Sequence, residues 1–118
     1  MSDDHIKISK NDRMTDLIRL QKSNGSFEIT NKGWTGSVLE EYLGHYKEVE
    51  MTCPGGFAMY LWITALSMKT LEVKMGDKKE LWVLVHQKSK IFLEKELKNE
   101  KEKYEALIEH AEKYIKSK

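Results

Sequence analysis

Between Phe57 and Leu71 the chain reads Phe-Ala-Met-Tyr-Leu-Trp-Ile-Thr-Ala-Leu-Ser-Met-Lys-Thr-Leu, with Lys69 its one charge. Wound as a helix, that segment is apolar almost all the way round, so other elements must enclose it. A membrane span takes about 20 apolar residues, and this run is shorter. The segment therefore predicts the centre of a helical bundle, and the rest of the chain is read for what surrounds it.

The chain has one proline and seven glycines, which argues for few breaks and long regular elements. A first helix is expected from about Asp12, whose carboxylate can cap free amides, with Met14, Leu17, Ile18 and Leu20 near helical spacing. Ser23-Asn24-Gly25-Ser26 ends it, because Asn and Gly tolerate the left-handed backbone of a helix stop. Phe27 to Thr30 reads as a short extended piece. Thr35 or Ser37 caps a second helix through Val38, Leu39, Tyr42 and Leu43. Cys53-Pro54-Gly55-Gly56 is a boundary before the apolar helix, and Met75-Gly76-Asp77 a turn after it, with Asp77 as a cap. No glycine or proline follows, so a last helix from Lys78 to Lys118 would reach about 60 Å if continuous. Its first half presents Trp82, Val85, Ser89, Phe92 and Leu93 at spacings of three and four. Lys98 to Lys103 carries no apolar residue, and the seam resumes with Tyr104, Leu107, Ile108, Ala111, Tyr114 and Ile115. The expected fold is all-α: a bundle of about four helices with a long C-terminal helix. Residues 1–9 are read as a flexible N-terminus, 10–97 as a helical interaction domain and 98–118 as a helical extension.

Little in the sequence suggests chemistry. Lys and Arg number 20 against 19 Asp and Glu, a formal charge of +1, so no global field attracts nucleic acid or an anionic membrane. The lysines at 69, 74, 78, 79, 88, 90 and 95 are diluted by neighbouring glutamates and lack interleaved aromatics. Cys53 is the one cysteine and cannot form an internal disulfide, which fits a reducing, cytoplasmic setting. A cysteine nucleophile would need a histidine base, and His5, His45, His86 and His110 lie on separate elements. No Cys-x-x-Cys or His-x-x-x-His suggests a metal, and no Gly-Lys-Ser/Thr a phosphate loop. The expectation is a non-catalytic chain with no cofactor, no metal and no membrane or nucleic-acid partner.

Three places resemble a known module. Leu17-Ile18-Arg19-Leu20-Gln21-Lys22-Ser23-Asn24-Gly25-Ser26-Phe27 comes first, then Gly56-Phe57-Ala58. The third is Glu80-Leu81-Trp82-Val83-Leu84-Val85, followed by Lys88-Ser89 and Phe92-Leu93. In order and approximate spacing these are similar to the C-terminal module of intracellular proteins built from VIT and von Willebrand type A domains. A related module ends vault poly(ADP-ribose) polymerase. Phe27, Phe57 and Phe92 stand where the family has tryptophan, Asn24 stands for aspartate, and the chain from Lys98 onwards has no counterpart. The resemblance implies a tether, with the major vault protein or another large cytosolic assembly as partner. The residues themselves ask only for a core, built from Leu17, Leu20, Phe27, Phe57, Leu61, Trp82, Val85 and Phe92.

The seam of Tyr104, Ile108, Ala111 and Ile115 is the candidate partner-binding site, its spacing that of a short coiled coil. Three outcomes stay open: docking on its own domain, pairing with a partner or with a second copy as a homodimer, or a solvated end.

Overall fold

The computed structural model describes residues 13–118, so the expectations placed on residues 1–9 and on the Asp12 cap lie outside the described residues. The fold is all-α. Residues 13–19 form α1, followed by three short helices: α2 (Asn31–Trp34), α3 (Val38–Leu43) and α4 (Tyr46–Thr52). Three long ones complete the chain: α5 (Met59–Lys74), α6 (Lys79–Glu96) and α7 (Lys101–Lys116). The short extended piece is present as a single antiparallel bridge between Gln21 and Phe27.

The apolar segment is the central helix α5. Every residue from Leu61 to Leu71 is buried, including Thr64, Ser67, Lys69 and Thr70. Two of its hydroxyls are satisfied along the helix itself, Thr64 donating to Tyr60 O and Thr70 to Leu66 O. Thr64 also accepts from the backbone N–H of Phe27 at 2.9 Å, which fixes the extended piece onto the helix. Ser37 caps α3, accepting from Glu40 N. Asp77 does not cap α6: residues Gly76–Lys78 form one 3-10 turn and α6 starts without a side-chain cap.

The three tryptophans share one arrangement. All are buried, and each indole N–H donates to a backbone carbonyl at or near a helix C-terminus. Trp34 donates to Gly44 O beyond α3, Trp62 to Val49 O in the last turn of α4, and Trp82 to Met75 O at the end of α5. The last carbonyls of a helix have no partner within it, so each indole closes an end while filling the core.

The long terminal helix is not continuous, and the described residues extend 50 Å along their longest axis. After Glu96 the backbone turns over Lys98 and Asn99, both left-handed with φ of 55° and 59°. Asn99 N donates to Glu94 O at 2.8 Å and Lys98 N to Lys95 O at 3.1 Å, the paired bonds of a Schellman stop. Lysine takes the position that glycine usually fills, so no breaker shows in the sequence. The stop lets α7 fold back, and residues 98–118 belong to the domain rather than extending from it.

Candidate interaction site

The seam on α7 faces inward. Leu107, Ala111 and Ile115 are fully buried, while Tyr104 and Ile108 are half-buried at its margin. Tyr114 crosses the ring of Trp62 at 6.1 Å and donates from its hydroxyl to Leu43 O at 2.6 Å. Lys118 pairs with Glu48 and lies over the Tyr114 ring. Of the expected partner-binding residues, Ala111 and Ile115 are therefore occupied by the chain's own core. The reason is the turn at Lys98–Asn99, which brings the inner side of the seam onto α5 and leaves Tyr104 and Ile108 at its margin. Of the expected core residues, Leu17, Phe27, Leu61, Trp82 and Phe92 are buried, and Leu20, Phe57 and Val85 pack half-buried against them.

A polar clasp closes the junction of α5, α6 and α7. Lys69, only 7% exposed, reaches Glu72 at 2.8 Å and Glu112 of α7 at 3.0 Å. His86 of α6 lies with Nε2 2.5 Å from Glu72 Oε2, and since a carboxylate only accepts, that nitrogen carries the hydrogen. Bonds from Lys116 and Lys69 hold the Glu112 carboxyl down at about 2, against an ordinary 4.5. The bond from His86, then that from Lys69, lowers Glu72. Burial opposes the charge on Lys69, but its two carboxylate partners outweigh it and raise its pKa. Burial, with Glu94 and Glu72 nearby, pushes the Tyr104 hydroxyl up to about 12.

These shifts fix a pH window. Carboxyls lowered on folding contribute stability that is present above their ordinary pKa and lost as pH falls through the folded value. The raised lysine contributes stability that is present below its ordinary pKa and lost as pH rises through its folded one. The clasp is whole between about pH 5 and 10. Acidification from pH 4.5 towards about 2 is expected to loosen α7 before α5. Amide exchange along the chain checks this: α7 amides should lose protection first, and Glu112→Gln should shrink the acid-dependent part.

The clasp holds a histidine–carboxylate pair but no nucleophile. Cys53 is half-buried, its Sγ facing the carbonyls of Pro54 and Phe57 at 3.7 and 3.5 Å. Burial raises its pKa, which lowers its thiolate fraction. Among the described residues no group of three or more His, Cys, Asp or Glu could hold a metal ion, and no helix is long and apolar enough to cross a membrane.

The chain matches no family model, no curated protein and no solved structure. Its surface carries the remaining information. With the core filled, α6 still exposes Leu81 at 61%, Leu84 at 75% and Ile91 at 56%. At about 100° per residue, Leu81, Leu84, Lys88, Ile91 and Lys95 fall within an arc of about 80°, a ridge on the outer side of the helix. The inward face is the one spaced through Trp82, Ser89, Phe92 and Leu93. The sequence signal for the ridge was the unbroken run Leu81-Trp82-Val83-Leu84-Val85, more apolar residues than one helical face can bury.

Proposed function

We propose that the chain is a non-catalytic protein–protein interaction module, docking through the outer ridge of α6. The observation that supports this is the exposure of Leu84 and Ile91 on a long, well-anchored helix whose opposite face fills the core. Scattered exposed apolar residues need no explanation, but several aligned along one rigid helix offer a preformed surface. Leu84 also lies within the Glu80–Val85 segment that carries the family resemblance, although the fold does not need it buried. The resemblance supplies the partner to try first: the major vault protein, or another large cytosolic assembly that the module would tether. Self-pairing through α7 is disfavoured, because Leu107, Ala111 and Ile115 have no surface to offer.

The test is a pull-down from eukaryotic cytosol with the wild-type chain and Leu84→Asp, retained proteins being identified by mass spectrometry. Recovery of the major vault protein or another assembly component is expected with wild type and lost with the variant. Equal recovery by both would remove the ridge from the reading. Since Leu84 is exposed, the variant should melt as wild type does.

A further inference from the structure

We infer that the ridge of α6 pairs with the same ridge on a second copy of this chain, the two helices running parallel about a two-fold axis along them. The inference rests on the ridge being the docking face and gives that face an occupant.

The charges beside the ridge carry the argument. Leu84 and Ile91 form its centre line. On one side lie Lys88 and Lys95, and on the other Glu80, Gln87 and Glu94. None of Lys88, Lys95, Glu80 and Glu94 has an ion-pair partner among the described residues. The surface is therefore split lengthwise, lysine on one flank and mainly glutamate on the other.

Such a surface complements itself in one orientation only. A two-fold axis parallel to the helices sets the lysine flank of one copy on the glutamate flank of the other. Leu84 then meets Leu84, Ile91 meets Ile91, and Lys95 stands level with Glu94 of the other copy, twice over. An axis across the helices sets each flank on itself, so Lys88 would meet Lys88, and Glu80 would meet Glu94. Like charges held that way oppose association, so the parallel pair is favoured. The apolar patch is short, so the pair is weak and transient, and a larger partner can displace it.

Sedimentation of the full chain up to ~1 mM, with sensitivity to weak association, is the first measurement. Concentration-dependent dimer is expected for wild type and absent for Leu84→Asp. Lys95→Glu should weaken association by about tenfold, since two exposed pairs are lost per dimer, and adding Glu94→Lys should restore it. Direction is read by disulfide trapping in a Cys53→Ser chain. Ile91→Cys should trap as a dimer, whereas Leu84→Cys mixed with Ile91→Cys should give homodimers and little crossed product. A chain that stays monomeric, a dimer that survives Leu84→Asp, or preferential 84–91 trapping would each overturn the parallel pair. A monomer that still captures a cytosolic partner in a Leu84-dependent way would leave the docking face standing.

Discussion

Leu107→Asp is expected to unfold the domain at neutral pH, while Ile108→Asp, one residue along the same helix, leaves it folded. Leu107 is fully buried between α7 and the centre of the bundle, whereas Ile108 sits half-buried at the groove margin near Glu105, Glu109 and Lys113. Truncating a buried leucine costs about 2–5 kcal/mol. Placing an unpaired carboxylate there adds several kcal/mol more. A domain of this size has about 5–15 kcal/mol in total, so the sum reaches the whole of it. For Ile108 the carboxylate can turn to water, and the loss should stay near ~1–2 kcal/mol. Urea unfolding of both variants gives the comparison. Two similar, small losses would mean that α7 does not dock as the structure has it.

Gly25→Ala should be the most damaging single-methyl change in the chain. Gly25 has φ +98°, and a Cβ there would lie 2.5 Å from Lys88 O and 3.1 Å from Phe92 Cβ. The obstacle is the backbone of α6, which cannot rotate aside as a side chain would. Relief requires lifting the 22–26 turn away from α6. That movement breaks the bond from Ser89 Oγ to Gly25 O, 2.6 Å long, and strains those from Gln21 to Val85 O and Ser89 Oγ, each 2.8 Å. Left-handed strain of about 1–2 kcal/mol is added to these losses. A total of ~3–5 kcal/mol should lower the melting temperature by about 10 °C or more. Gly36→Ala is the control, since Gly36 also has positive φ (+81°) but nothing within 4 Å of a built Cβ. It should show the backbone strain alone.

The centre of the fold was legible because α5 is apolar on every side, which leaves one solution. Its neighbour α6 was half legible. The spacing of Trp82, Ser89, Phe92 and Leu93 marks the inward face, but the same run of apolar residues supplies the outer ridge, and periodicity alone gives precedence to the inner one. The break before α7 was hidden because its stop is built by two backbone bonds around Lys98 and Asn99, a conformation glycine would have advertised. The charged stretch Lys98 to Lys103 marks where the seam lapses but not whether the helix turns there, so the seam of α7 could not be assigned to a surface. Helices α2 and α4 were not expected either. At four and seven residues they are too short to show a period, and burial of Trp34 and Val49 holds them in place. The clasp was illegible for a different reason: Lys69, Glu72, His86 and Glu112 meet only through the packing of three helices.

The indole bonds bear on how this chain can come apart. The end of α4 is closed by a side chain from α5, the end of α5 by one from α6, and the end of α3 by Trp34 of α2 and Tyr114 of α7. Withdrawing any one of those helices opens a cavity and removes a donor from the end of another, where Val49 O keeps only Thr52 Oγ1 and Met75 O only Lys78 N–H. Loosening α7 in acid therefore also withdraws the Tyr114 hydroxyl from Leu43 O, so the end of α3 should lose protection along with α7.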